Sequence, residues 1–136
     1  MDTITDEYMK EMLAKSKFYS LLILKAGPKE IAPDQIKIVW EHGRRNFELQ
    51  AKGLLSIVCP VREESNIKGI GIFNVDKEEL KKIMDEDTGV KEGIFTYEIF
   101  YAKVFRVICC HRKHHLSTFL AFFISPILSD NVRVKL

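Results

Sequence analysis

The order of the hydrophobic patterns in this chain predicts an α+β fold. Residues 34–53 and 76–85 carry apolar side chains at spacings of three and four, which is typical of amphipathic helices. Four apolar runs surround them, in the order strand, helix, strand, strand, helix, strand. The two middle strands are joined by a short polar connection, so they should pair antiparallel. This order predicts a ferredoxin-like βαββαβ plait, in which two helices cover one face of a four-stranded antiparallel sheet.

A short amphipathic helix should precede this domain. Tyr8, Met9, Met12 and Leu13 form a narrow apolar stripe over residues 6–16. Thr5 or Asp6 could cap its first turn. We therefore treat residues 1–16 as an N-terminal helical extension, residues 17–105 as the α+β domain and residues 106–136 as a C-terminal extension. The first strand, residues 17–25, ends before Gly-Pro at positions 27 and 28.

The long helix should begin at Pro33-Asp34 and end at Gly53, where a left-handed conformation costs little. Its apolar stripe is predicted to contain Ile36, Val39, Trp40, Gly43, Phe47 and Gln50. His42 falls on the flank of that stripe. Two interpretations stay open: an imidazole that lines a cleft, and a partly buried histidine satisfied by a carbonyl or a water.

The second half of the domain alternates strands with one further helix. Residues 54–59 form a short apolar run that predicts a buried strand, with Cys59 as an inert core side chain. Residues 61–66 read as a loop, and residues 67–75 as a strand. Gly69 and Gly71 in that strand indicate close backbone approach or room for a bound molecule. The second helix should start at Asp76, with Glu79 completing a variant capping box, and the last strand should span residues 93–105.

A plait with both helices on one face leaves the other sheet face uncovered. Many Ile, Phe and Tyr side chains would then form a large exposed apolar patch. Two sheets packed face to face would cover it. We therefore expect a homodimer formed through the sheet face.

Composition and charge exclude several classes of protein. The net charge is +2, but residues 106–136 hold five Lys or Arg against one acid, whereas residues 1–105 hold 16 against 18. The domain is thus slightly acidic and lacks a basic stripe, which argues against nucleic-acid binding. No run reaches the roughly 18 apolar residues that span a bilayer, and no signal peptide is evident. Three cysteines suggest reduced thiols rather than a disulfide framework, so we expect a cytoplasmic protein.

The C-terminal extension contains two suggestive segments. Residues 109–115 read Cys-Cys-His-Arg-Lys-His-His, but this spacing is poor for a tetrahedral metal site, and we expect none. Residues 116–128 are apolar, too short to span a membrane and interrupted by Pro126. They could dock on the domain, contact a partner or a membrane surface, or be an unrelated extension. No Gly-x-Gly-x-x-Gly or phosphate loop occurs, so no cofactor is expected.

Several short motifs, in order, resemble the YCII-related family over residues 18–105. They are the first strand, the helix carrying His42, Gly53-Leu-Leu with Cys59-Pro60, Lys68-Gly-Ile-Gly-Ile, and Asp85-Glu-Asp-Thr with Gly93-Ile-Phe. The resemblance implies a dimeric α/β-barrel, and for a few members lyase or dehalogenase chemistry on ring-derived acids. It also implies a site histidine at His42 with Asp87 as its partner. Two positions depart from the family pattern: Thr88 stands where proline is usual, and Ala51 where an acid can occur.

The predicted chemistry is proton transfer by a histidine. A carboxylate partner would fix the tautomer of His42, which could then move a proton at a carbon beside a carbonyl. Arg45 on the same helix could bind a carboxylate substrate through its planar fork, although both Arg44 and Arg45 also suit a solvated helix face. Asp87 also suits a helix-end turn, in which it bonds its own backbone. We therefore predict a protein that binds a small organic acid and acts on it by acid/base chemistry. The alternative is a non-catalytic ligand-binding or dimeric assembly module.

Overall fold

The computed structural model describes residues 3–105, and it contains the predicted order of helices and strands with one addition. The addition is a short helix, α4, between the second long helix and the last strand. The elements are α1 (Asp6–Ala14), β1 (Lys17–Ala26), a 3₁₀ turn (Pro33–Gln35), α2 (Ile36–Ala51), β2 (Leu55–Pro60), β3 (Ile67–Phe73), α3 (Lys77–Asp85), α4 (Thr88–Lys91) and β4 (Phe95–Val104).

The four strands form one antiparallel sheet in the order β2-β3-β1-β4. Ser20 in the central strand β1 lies opposite Phe73 of β3 on one side and Tyr101 of β4 on the other. The fold is therefore α+β with a four-stranded antiparallel sheet, as predicted, and it is compatible with a ferredoxin-like plait. The predicted antiparallel pairing of β2 with β3 is confirmed.

Local signals in the sequence set the helix ends. The Thr5 side chain accepts a hydrogen bond from the Tyr8 N–H, and the Asp76 carboxylate accepts one of 2.8 Å from the Glu79 N–H. Each side chain thus satisfies a backbone donor that the first turn of a helix leaves unpaired. Gly53 follows α2 with φ of 72°, a left-handed conformation that favours glycine.

One face of the sheet carries the hydrophobic core. Along β1 the buried side chains alternate, since Ser20, Leu22 and Leu24 face the helices. The core side chains are Leu22, Leu24, Val39, Leu49, Leu55, Phe73, Leu80, Met84, Ile94 and Phe95. The chain leaving β1 is held against the start of β4, because the Gly27 N–H donates to the Ile94 carbonyl at 2.7 Å.

The opposite face of the sheet is largely apolar and partly exposed. We define the open sheet face as the side chains of Leu21, Ile23, Ile57, Ile70, Ile72 and Phe100, which the strand register places on the same side. Ile57, Ile70 and Phe100 are 41%, 37% and 43% exposed. A Lys25–Glu98 ion pair lies on the same face.

Two sequence predictions about burial are wrong. In β2 only Leu55 is buried, and Cys59 is exposed, so this strand is not a core strand. The reason is that β2 forms an edge of the sheet and turns alternate side chains to the open face. In α2 the aromatic residues Trp40 and Phe47 are 41% and 52% exposed.

The buried side of α2 is rotated toward His42 relative to the predicted stripe. Its buried residues are Val39, His42, Gly43 and Leu49. The predicted stripe included the largest apolar side chains of the helix, Trp40 and Phe47. In the structure, fewer residues of the helix are buried, and these two are not among them. His42 consequently lies within the buried side of the helix and not on its flank.

None of the helices within residues 3–105 is long and apolar enough to cross a membrane. The predictions for residues 106–136, including the metal and docking interpretations, fall outside the described residues.

Candidate functional site

A cavity of about 430 Å³ lies between α2 and the sheet. This volume falls in the range of about 300 to 1,000 Å³ that small-molecule sites usually have. Most of its wall is apolar and belongs to the core. Its charged lining residues come from the loop after β1 and from the β2–β3 hairpin, and they are Lys29, Glu30, Arg62, Glu63 and Lys68. The cavity is thus apolar along the sheet and polar toward one end of the strands.

His42 contributes an imidazole to this cavity, and Asp87 lies behind it. His42 Nδ1 is 2.9 Å from Asp87 Oδ2, and the two residues are only 6% and 2% exposed. The ring also contacts Phe95, with 5.0 Å between ring centroids. The structure therefore brings together two candidate residues that lie 45 positions apart in the chain.

The backbone around α4 holds the Asp87 carboxylate in place. Asp87 is the N-cap of α4, and its Oδ1 accepts hydrogen bonds from the N–H groups of Gly89 at 2.9 Å and Val90 at 3.3 Å. Its other oxygen, Oδ2, is the one that contacts His42. One carboxylate therefore makes both contacts that the sequence suggested as alternatives: it bonds its own backbone, and it contacts the histidine.

These contacts keep Asp87 ionised at neutral pH. Burial by itself raises the pKa of a carboxyl group, but hydrogen bonding to His42, the charge of His42 and the N–H groups of Val90 and Gly89 together lower the pKa of Asp87 below its ordinary value. An ionised carboxylate only accepts hydrogen bonds, so His42 Nδ1 must donate its proton to Asp87. In the neutral ring, Nε2 then carries the lone pair.

Asn46 is a further polar residue of the site that the sequence analysis did not identify. Its Nδ2 lies 3.2 Å from His42 Nε2, and both residues line the cavity. The spacing of four residues on one helix places the two side chains next to each other. The four-residue spacing is visible in the sequence, but it identifies Asn46 as a site residue only if His42 faces the cavity.

Arg45 lies away from the cavity. Its guanidinium donates to the carbonyl oxygens of Ile83 at 2.8 Å and Glu86 at 3.2 Å, and it pairs with the Glu86 carboxylate. It therefore satisfies unpaired carbonyls at the end of α3, which is a favourable place for a cation. The neighbouring Arg44 is exposed and pairs with Glu41.

Gly69 and Gly71 both line the cavity, as the sequence suggested. A Cβ on Gly71 would lie 2.7 Å from the Phe73 ring, whereas a Cβ on Gly69 would meet nothing closer than the Cys59 carbonyl oxygen at 3.4 Å. Gly71 therefore allows the Phe73 ring to approach the backbone closely, whereas a small side chain would fit at Gly69. Within residues 3–105, no group of three or more His, Cys, Asp or Glu side chains could hold a metal ion.

The lowered pKa of Asp87 predicts a specific acid dependence of stability. A carboxyl group with a depressed folded-state pKa contributes stability that is complete above its unfolded pKa, about 3.9, and is lost as the pH falls through the folded pKa. The difference in unfolding free energy between wild type and Asp87→Asn should therefore shrink as the pH falls below about 4. Urea unfolding at a series of pH values measures it. A difference that grows as the pH falls below about 4 would contradict this assignment.

No protein-family model matches the chain, and no curated protein matches it either.

Proposed function

We propose that this protein binds a small organic acid in the cavity and transfers a proton on it with His42. One observation carries the proposal: a buried imidazole, held by an ionised carboxylate at 2.9 Å, lines a cavity of about 430 Å³. A histidine oriented in this way is a common arrangement for general acid/base catalysis. The reaction class is lyase, isomerase or dehalogenase chemistry that begins at a carbon beside a carbonyl.

Each residue of the pair has a distinct role in this proposal. Asp87 accepts the Nδ1 proton and stabilises the imidazolium that forms when Nε2 takes a proton from the substrate. His42 exchanges that proton between substrate and product. A positioned base of this kind accelerates proton transfer by about 10² to 10⁴.

The carboxylate of the acid needs a cation beside the cavity. Lys29 and Lys68 line the cavity, which supports assigning them this role. Arg45, the candidate from the sequence, is engaged with the end of α3, so its contribution in this proposal is to fix α2 against α3. The Lys68 ammonium donates to the Ser65 carbonyl at 2.9 Å, which keeps it at the loop end of the β2–β3 hairpin.

We also assign the chain to the YCII-related type of dimeric α/β-barrel. The support is the resemblance of residues 18–105, the βαββαβ order, the four-stranded antiparallel sheet and the contact between His42 and Asp87.

The proposal predicts that His42→Gln removes proton transfer. The full-length protein would be incubated in D₂O with a panel of small keto acids and lactones, and the loss of the α-proton signal would be followed by ¹H NMR. Wild type should exchange at least one compound, and His42→Gln should do so about 100-fold more slowly, because glutamine has a similar reach but does not titrate. Gln50→Ala on the same helix is the matched control. Exchange at the wild-type rate in His42→Gln would refute the catalytic role.

A second candidate function, a dimeric assembly module, is favoured by the open sheet face. Three of its large apolar side chains are more than a third exposed in the single chain. Monomeric proteins rarely leave a contiguous apolar patch of this kind uncovered. A second copy packed sheet to sheet would bury it.

The dimer predicts a clear effect of a charge on that face. Ile70→Lys should convert the full-length protein from a dimer to a monomer in light scattering, because a lysine there would be buried without a partner. Glu48→Lys, a charge change on the exposed side of α2, should leave the mass unchanged. A monomeric wild type at micromolar concentration would exclude this assembly.

A further inference from the structure

Asn46 forms a hydrogen bond with Nε2 of His42, the ring nitrogen that would exchange a proton with a substrate in the proposed function. In the described structure Nε2 of His42 lies 3.2 Å from Asn46 Nδ2, one helical turn along α2. Since Nδ1 donates to Asp87, Nε2 of the neutral ring accepts, and the Asn46 amide donates to it. The lone pair of the proposed base is therefore engaged until a ligand takes the place of the amide.

The surroundings restrict what such a ligand can be. The wall next to His42 and Asn46 is apolar and includes Val39, Ile94 and Phe95. A ligand that displaces the Asn46 N–H from Nε2 must offer a donor to Nε2. It must also offer an acceptor to the released amide N–H, because a polar group left unpaired in an apolar cavity costs free energy.

We infer that His42 and Asn46 together form a two-point site for a single hydroxyl group of an enol or a phenol. The inference rests on the proposed function and names the substrate class for it. The hydroxyl donates its O–H to His42 Nε2, and its oxygen accepts the Asn46 N–H. The apolar body of the ligand lies beside Phe95 and over Gly69, which lines the cavity without a side chain.

The same two residues serve keto–enol tautomerisation, with the α C–H of the keto form at Nε2 in place of the hydroxyl. His42 Nε2 forms a bond to the α-proton as the C–H bond breaks. The electron pair of that bond forms the C=C bond, and the carbonyl π electrons move to the oxygen, where the Asn46 N–H stabilises the developing negative charge. Return of the proton from Nε2 to the oxygen gives the enol. Asn46 touches the reacting oxygen in this step, and no oxidant or reductant is required.

Binding of 4-nitrophenol to the full-length protein tests the inference without any turnover. In a buffer well below its pKa it presents one un-ionised hydroxyl on a flat apolar body, whereas 4-nitroanisole has the same body without the O–H donor. Titration calorimetry should give an affinity for 4-nitrophenol about tenfold higher than for 4-nitroanisole, as expected for one lost hydrogen bond. Asn46→Leu should lose about tenfold in affinity for 4-nitrophenol, because leucine keeps the size of the side chain and removes the donor.

Two further variants make the result decisive. Asn46→Asp is nearly isosteric and replaces the donor with an acceptor, so it should also lose affinity, and it stands in if Asn46→Leu does not fold. Gln50→Ala removes an amide one turn further along α2 and should bind like wild type. Equal affinity in wild type and the Asn46 variants, equal binding of the two probes, or no binding of 4-nitrophenol to wild type would each overturn the inference.

Failure of the inference is distinguishable from failure of the proposed function. If deuterium exchange depends on His42 while the Asn46 variants bind 4-nitrophenol normally, proton transfer stands and the role of Asn46 falls. If 4-nitrophenol binding depends on Asn46 but no compound exchanges, the binding site stands and the catalytic proposal falls.

Discussion

Asp87→Ala should lower the free energy of unfolding by about 3 to 5 kcal/mol, the usual cost of removing one partner of a buried, hydrogen-bonded pair. The carboxylate is 2% exposed, and it holds both the His42 ring and the first turn of α4. Alanine would leave the Gly89 and Val90 N–H groups and His42 Nδ1 without their partner. Loss of the N-cap contributes about 0.5 to 2 kcal/mol of this cost.

Asp87→Asn separates the two roles of the carboxylate. Asparagine caps helices about as well as aspartate, so it should retain the contact to the Gly89 N–H. It lacks the negative charge that favours a proton on His42 Nδ1. We therefore expect Asp87→Asn to be clearly more stable than Asp87→Ala in urea unfolding, and to lose proton transfer as fully as His42→Gln. Equal stability of the two variants would mean that the cap contributes little.

Gly27→Ala should destabilise the domain by about 4 kcal/mol or more, which is exceptional for the addition of one methyl group. A Cβ at this position would lie 2.2 Å from the Gly93 carbonyl oxygen and 2.7 Å from the Ile94 carbonyl carbon. Both are backbone atoms, so no side-chain rotation relieves the contact. The chain would have to separate where Gly27 donates to the Ile94 carbonyl.

Gly53→Ala is the matched control for Gly27→Ala. Gly53 has φ of 72°, but a Cβ there meets no atom within 4 Å. Its cost should therefore be limited to the left-handed conformation, about 1 kcal/mol. Urea unfolding of both variants measures the difference, and a similar cost for the two would show that the contact at Gly27 is relieved by movement of the backbone.

The elements of the fold were predictable from the sequence because their signals are local. Asp76 and Gly53 mark helix ends through contacts or conformations within a few residues, and the apolar runs mark the four strands. The helix α4 has only four residues, too few to produce a periodic pattern. The exposure of β2 depends on its position at the sheet edge, which is a property of the whole fold and not of the segment.

The site was predictable only in part, for the same reason. His42 stood out as a lone imidazole on a helix, and Asp87 came from the resemblance to a family. Their contact joins positions 45 residues apart, which no local pattern reveals. The carbonyl groups at the end of α3 that the Arg45 guanidinium contacts lie 38 and 41 residues further along the chain, so the sequence around Arg45 does not reveal this contact.

The two glycines of β3 shape the cavity on the side opposite His42 and Asn46. Gly69 and Gly71 lie on the sheet, across the cavity from the helix that carries His42 and Asn46. At Gly69 a Cβ would make ordinary van der Waals contacts, the nearest of them 3.4 Å from the Cys59 carbonyl oxygen, so a small side chain fits there. Substitutions at this position would therefore alter which molecules fit while leaving the histidine and its carboxylate in place. Over evolution, the size of the cavity and the pairing of His42 with Asp87 can therefore change independently of each other.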